Sequence, residues 1–214
     1  MAPAALRVRD DYLAALLAAD LVAARRVIAD ALDAGTPARE LYLDVLQPAL
    51  YEVGLRWSRA EISVAQEHLA TAATQSNLAW LAERLIEGER PARGRVLIAC
   101  AEDELHMLGV RMVADFLEAE GWEITFVGAM TPPVGLVELA PQADVVAISA
   151  ALPERIPLVA RAVAGLRAAP WTPYIVVGGQ AFAGSEERAL RTGADAWAAD
   201  AQDAVRVLDA RFGP

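Results

Sequence analysis

The sequence predicts an α/β fold in two halves, an antiparallel helical bundle followed by a five-stranded parallel sheet. Three observations predict it. Residues 1 to about 90 repeat apolar side chains three and four apart, the helical period, without a strand-like run. From Arg95 onward, short continuous apolar runs alternate with helical ones, the pattern of strands buried on both faces of a parallel sheet. Between them lies "GERPARGR" (residues 88–95), with Gly, Pro and charge but no apolar period. The expected domains are therefore 1–90 and 94–214.

The elements follow in order. "DYLAALLAADLVAARRVIADALDAG" reads as two helices, with Asp20 capping the second and Gly35 suiting its end. Thr36-Pro37 starts a further helix over about Ala38 to Trp57, and Pro48 should kink or divide it. After "SRAEIS", Ser63 with Gln66 forms a candidate capping box, and Ser58 with Glu61 a competing one. That last helix should run to about Glu87. Short connections then imply an antiparallel bundle. In the second half, the strands are "RVLIAC", "WEITFVG", "DVVAISAA", "YIVVGG" and "ADAWAA". Helices are expected over "GVRMVADFLEAEG", near "GLVELA", and over "IPLVARAVAGLRA", "EERALRTG" and "AQDAVRVLDARF". Five strand–helix units of this size suit a flavodoxin-like (Rossmann-like) order, 2-1-3-4-5.

Composition narrows the function classes. The 214 residues are 56% hydrophobic, enough for packed cores, and carry a net charge of −10. No Lys/Arg cluster could form a nucleic-acid surface, and Arg25-Arg26 reads as a solvated helix face, so no direct nucleic-acid binding is expected. The single cysteine, Cys100, excludes an internal disulfide and suits a buried thiol in a reducing compartment. No run approaches a membrane span, and "MAPAALRVRDD" lacks the apolar stretch of a signal peptide, so a cytoplasmic location is expected.

In an open parallel sheet, ligands bind beyond the carboxyl ends of the strands, at the switch point of strand order. Three features converge there. The loop after strand one holds Glu104 and His106, strand three ends at Ser149, and strand four ends at Gly178-Gly179. Each also has a plain reading: a solvated loop histidine, a helix-capping serine, a glycine turn. A phosphoacceptor site would need a carboxylate at the end of strand three, where Ser149 stands. A flavodoxin phosphate loop would be rich in Ser, Thr and Gly, whereas "AEDELH" is acidic. A histidine beside a carboxylate better suits a metal ligand, because a ligating imidazole gives its other N–H to a carboxylate or carbonyl. Glu104, Asp103 and Glu102 are the local candidates, and Gly109 would let a bulky group approach the next helix. One histidine without a cysteine set cannot hold a bare zinc ion, so the metal should arrive inside its own macrocycle.

"ELHMLG" (residues 104–109), Ser149 and Gly178-Gly179 resemble the signature of cobalamin-binding domains: an acid, any residue, His, two residues, Gly, then Ser, then a Gly pair. Ser149 follows His106 by 43 residues and Gly178 follows Ser149 by 29. This sequence departs in having Glu104 where many members have Asp, and in the displaced leucine of "SAALP". The resemblance implies that His106 is the lower axial ligand of cobalt. It also implies that the displaced nucleotide tail passes Ser149 and the Gly pair. In "GLRWSRAEISVAQEHLAT", nine residues separate Trp57 from the pair Glu67-His68. This is similar to CarH-type cobalamin photoreceptors, in which such residues cap the upper face of adenosylcobalamin.

The resemblance thus implies a cobalamin sensor, light-responsive through adenosylcobalamin. The bundle would cap the cofactor's upper face, and signalling would run through an unidentified partner or a homo-oligomer. No DNA-binding helix-turn-helix segment is recognised in these 214 residues. In DNA-binding members a His beside the Trp takes the upper position after light. Here that residue is Ser58, which leaves His68 for such an adduct. Some relatives bind a bilin as a second chromophore, so one is carried as an implied second cofactor. The alternative function is a corrinoid carrier subunit of a methyltransferase system, whose upper face must open to partner enzymes. A third reading, haem bound through His106 or His68, is disfavoured by Ser149, Gly178 and Gly179.

Overall fold

A computed structural model describes residues 3–88, 90–171 and 173–213. The chain divides into two compact units, Met1–Leu85 and Ile86–Pro214. Glu89, within the segment read as a boundary, lies outside the described residues.

The first unit is helical. Helix α1 (Pro3–Leu17) and α2 (Leu21–Asp33) are separated by a turn, and the Ala23 N–H donates to Asp20 Oδ1 at 2.8 Å, the expected cap. A short α3 (Ala38–Glu40) passes into a π-helical segment, Leu41–Leu46, and then into α4 (Gln47–Ser58). The expected effect of Pro48 takes this form. Proline has no N–H, and its ring crowds the carbonyl four residues back. The preceding turn widens instead, with the Gln47 N–H reaching back to the Tyr42 carbonyl. Ser63 and Gln66 form the reciprocal capping box: the Ser63 N–H donates to Gln66 Oε1 at 3.0 Å and the Gln66 N–H to Ser63 Oγ at 3.2 Å. Ser58 instead closes α4, its hydroxyl donating to the Leu55 carbonyl at 2.8 Å. Helix α5 (Val64–Leu85) stops two residues short of the expected end.

Helix α1 packs against α2, α4 and α5 around Tyr12, Leu16, Ile28, Tyr42, Leu46 and Leu78, all fully buried. Three buried hydroxyls make this core specific. The Thr74 hydroxyl donates to the Ala70 carbonyl at 2.9 Å, so Tyr12 is the donor in its 2.9 Å bond to Thr74. Asn77 in turn donates to Tyr12 at 3.1 Å, and Tyr42 donates to the Leu78 carbonyl at 3.1 Å. Each buried phenol is therefore hydrogen-bonded and does not carry the desolvation cost of an orphan.

The second unit is a five-stranded parallel sheet in the order β2-β1-β3-β4-β5. Its strands are β1 (Gly94–Cys100), β2 (Trp122–Gly128), β3 (Val145–Ser149), β4 (Tyr174–Gly178) and β5 (Ala196–Ala198). The connecting helices are α6 (Leu108–Ala119), α7 (Pro133–Leu139), α8 (Ile156–Ala168) and α9 (Glu186–Leu190), and α10 (Ala201–Phe212) ends the chain's described helices. Leu97, Val146, Ile148, Ile175 and Val177 fill one face of the sheet together with Val159, Val163 and Leu166 of α8. Continuous apolar strands are the expected consequence of cover on both faces. In register, Cys100 pairs with Ser149 and Ser149 with Gly178, so the three central strands end level with one another. Among the described residues, no helix is long and apolar enough to cross a membrane.

Candidate functional site

The level strand ends form a rim. The Ala101 N–H donates to the Ser149 carbonyl at 2.9 Å and the Ala150 N–H to the Gly178 carbonyl at 3.1 Å, so the sheet pairing continues into the loops. The loop after β1 then turns sharply, with Asp103 in the left-handed region (φ 60°) and the Glu104 N–H donating to the Ala101 carbonyl at 3.1 Å. This turn drives the Glu104 side chain inward, where it is 1% exposed.

Buried carboxylates need donors, and Glu104 has three. Oε1 lies 2.5 Å from His106 Nδ1 and accepts from the His106 backbone N–H at 2.9 Å. Oε2 accepts from the Ala151 N–H at 2.8 Å, in the loop after β3. Burial alone would raise this carboxyl's pKa, but the bonds from His106 and Ala151 outweigh it and hold the pKa at about 2. Glu104 therefore remains an anion, fixed to two loops, and His106 is fixed to it. The His106 side chain is 57% exposed. With Nδ1 engaged by the carboxylate, Nε2 is the nitrogen suited to a metal.

The neighbouring groups restrict the chemistry. Cys100 is buried, and burial first, then the Glu104 charge, pushes its thiol up to about 12. It stays protonated and donates to the His106 carbonyl at 3.7 Å, so it is no thiolate ligand. Among the described residues, no group of three or more His, Cys, Asp or Glu could hold a metal ion. The donor set would fit a single bond from His106 to a metal that brings its other ligands with it. Leu105 and Met130 are both exposed at this rim, an apolar surface of the kind that a macrocycle covers.

The glycines differ. Gly109 lies in the first turn of α6, and a Cβ there would meet nothing within 4 Å, so space is open beside the helix start. Gly179 has φ +101°, and a Cβ would overlap the Ala150 carbonyl oxygen and stand 3.0 Å from Ser149 Oγ. A Cβ on Gly178 would come 2.8 Å from the Ala198 carbonyl oxygen. The fold itself requires glycine at 178 and 179, whereas at 109 it does not.

Trp57, Glu67 and His68 lie in the helical unit, Trp57 exposed near the end of α4 and the other two at the start of α5. Glu67 Oε2 is 2.6 Å from His68 Nδ1, and Glu67 Oε1 accepts from the Thr71 hydroxyl at 2.7 Å. The His68 ring is 74% exposed.

Two contributors escaped the sequence reading. Ala151 acts through its backbone N–H, which leaves no residue-type signature. Met130 has φ 52°, and its N–H donates to the Glu104 carbonyl at 2.9 Å, tying the loop after β2 to the loop after β1. The expected strand order places β2 beside β1 and was the signal that could have found it. A cleft of about 300 Å³ lined by Asp144, Trp171, Tyr174 and Arg211 lies at the opposite ends of the strands and holds none of the expected site residues.

Comparison with known proteins places this geometry. Residues 8–82 and residues 94–208 each match a family described as a B12 binding domain. Among curated relatives, the HTH-type transcriptional repressor CarA of Myxococcus xanthus is 36% identical over 115 residues, 51% of this chain and 37% of that protein. CarH of the same organism is 32% identical over 143 residues, 66% of this chain and 46% of that protein. Monomethylamine corrinoid protein 2 of Methanosarcina acetivorans is 31% identical over 115 residues, 52% of each chain. The match thus spans about a third to a half of these relatives' length. A monomethylamine corrinoid protein of Methanosarcina barkeri shares the fold, with a TM-score of 0.84 at 22% identity over 95% of this chain and 97% of that one. With family matches on both halves and an anchored histidine at the rim, the chain belongs to the B12-binding domain family.

Proposed function

We propose that this chain is a cobalamin-binding sensor, light-responsive through adenosylcobalamin, whose output passes to a partner protein or through changed self-association. The observation that carries the reading is His106, held through Nδ1 on the buried Glu104 carboxylate and exposed at the rim. In this reading His106 is the lower axial ligand, and residues 94–214 form the cofactor domain. Gly109 gives the corrin room, and Ser149, Gly178 and Gly179 border the nucleotide tail. Residues 1–90 serve the upper face through Trp57, Glu67 and His68. Bound adenosylcobalamin supplies a cobalt–carbon bond that visible light breaks. Trp57 and the Glu67–His68 pair respond by repacking, since packed side chains switch between discrete arrangements. The relatives CarA and CarH and the Trp57/Glu67–His68 spacing support the sensor.

A second reading has a specific observation in its favour: the relative that is named a monomethylamine corrinoid protein. Here the chain would be a non-catalytic corrinoid carrier that serves a methyltransferase partner. One experiment separates the two. The protein is loaded with adenosylcobalamin in the dark, and absorption spectra and size-exclusion profiles are recorded before and after green light. A light-induced change in hydrodynamic size supports the sensor. An unchanged profile, with acceptance of a methyl group from a methyltransferase, overturns it in favour of the carrier.

A further inference from the structure

Arg155 ends the turn Pro153–Arg155, between the carboxyl end of β3 and the start of α8. That turn packs against the turn Gln180–Phe182, which follows Gly178 and Gly179 at the end of β4. Arg155 therefore belongs to one of the two packed loops that border the rim on its β3–β4 side. Its Nε is shielded from solvent and, among the described residues, donates to no group. A guanidinium stays charged at any physiological pH, so this N–H is a permanent donor withdrawn from water without an acceptor. Other cations nearby are engaged: Arg161 pairs with Glu102, and Arg188 donates to the Phe182 carbonyl at 3.4 Å. Glu154, the adjacent carboxylate, is exposed and forms no ion pair with Arg155 among the described residues.

A buried donor without an acceptor weakens the free protein, and its natural complement is an anion that arrives with the ligand. Cobalamin carries one such anion. Its ring substituents are neutral amides, but its nucleotide tail is joined through a negatively charged phosphodiester. The rest of the rim is acidic, with Glu102, Asp103 and Glu104 in the loop after β1, so an anion entering there needs a cation to receive it. We infer that Arg155 binds the phosphodiester of the nucleotide tail and makes the site selective for complete corrinoids over tail-less ones. The inference rests on the reading of this rim as a cobalamin site.

The test compares two probes in equilibrium titrations of the apo-protein: hydroxocobalamin, and cobinamide, which has the same ring without the nucleotide or its phosphodiester. Arg155→Gln should weaken hydroxocobalamin binding by roughly 10- to 100-fold, the scale of a charge-assisted hydrogen bond, and leave cobinamide binding unchanged. Arg155→Lys, which keeps the charge but not the fork, should restore part of the loss. Thermal unfolding of the apo-protein should occur at no lower temperature in either variant, because the guanidinium Nε satisfies nothing in the fold and its loss removes an orphaned donor. Equal loss for both probes, or no loss for either, overturns the inference while the cobalamin reading stands. Failure of the unsubstituted protein to bind either probe overturns the cobalamin reading itself.

Discussion

The molecule contains two Glu–His pairs, one in each unit, and they are built differently. In the sheet unit, Glu104 and His106 are two residues apart in a loop, and the carboxylate is buried and takes two backbone N–H groups besides the ring. In the helical unit, Glu67 and His68 are adjacent in the first turn of α5, the carboxylate is 22% exposed, and its other oxygen takes the Thr71 hydroxyl. Both carboxylates orient an imidazole through Nδ1. Only one is itself immobilised, by donors from two separate loops. The difference teaches that a histidine ligand is positioned from behind: what fixes His106 is a buried acid partner that the Ala151 N–H ties to a second loop.

The largest contrast should appear when each ring is removed. His106→Ala should abolish the histidine-ligated absorption spectrum of the cobalamin-loaded protein, whereas His68→Ala should leave the dark spectrum intact. Loss of that spectrum in the second variant alone would exchange the roles assigned to the two rings. The acids come next. Glu104→Gln places an amide against N–H donors in a buried site and should destabilise the fold by about 1–3 kcal/mol in denaturant titrations, with metal affinity reduced by roughly 10- to 100-fold. Glu67→Gln should change stability by less than about 0.5 kcal/mol, because Glu67 is only partly buried and its bonds run to the side chains of His68 and Thr71. Similar losses for both acids would show that anchorage is not the distinction. Two glycines sharpen how the anchor is held. Gly179→Ala collides with Ala150, the neighbour of the N–H that binds Glu104, in a backbone region closed to L side chains, and should cost about 1–3 kcal/mol. Gly109→Ala meets nothing and should raise apo-protein stability by up to about 1 kcal/mol, the helix-propensity gain, with any penalty confined to cofactor binding. Thermal melts with and without cobalamin distinguish the two.

Fold class and strand order were readable because they depend on period and composition, which residue types carry. The runs "RVLIAC" and "YIVVGG" have no polar side to offer solvent, so burial on both faces was legible from them. Caps at Asp20 and Ser63 were legible because a side-chain oxygen makes the bond. Helix boundaries set by backbone geometry were not: the π segment before Pro48 carries no residue-type mark beyond the proline itself. In the rim, His106, Glu104 and the Gly pair could be placed because strand ends fixed their location. The groups that complete the anchor could not, since the N–H groups of Ala151 and Met130 belong to the main chain and any residue but proline would supply them. Arg155 was passed over because one arginine before a helix looks like solvated charge until its surroundings are seen.

The π-helical turn at Leu41–Leu46 has a consequence for how this sequence tolerates change in length. Each residue of an α-helix advances about 100° around the axis. A π turn holds one residue more for the same span, so it works as an inserted letter in the helical text. Deleting a single residue between 41 and 46 would return the stretch to the α register. Everything downstream in α4, Trp57 included, would then keep its facing relative to α3, because the wide turn had already absorbed the extra residue. A one-residue gap here would thus leave the face that follows unchanged, whereas the same gap inside α4 would turn everything after it by about 100° and replace that face with another.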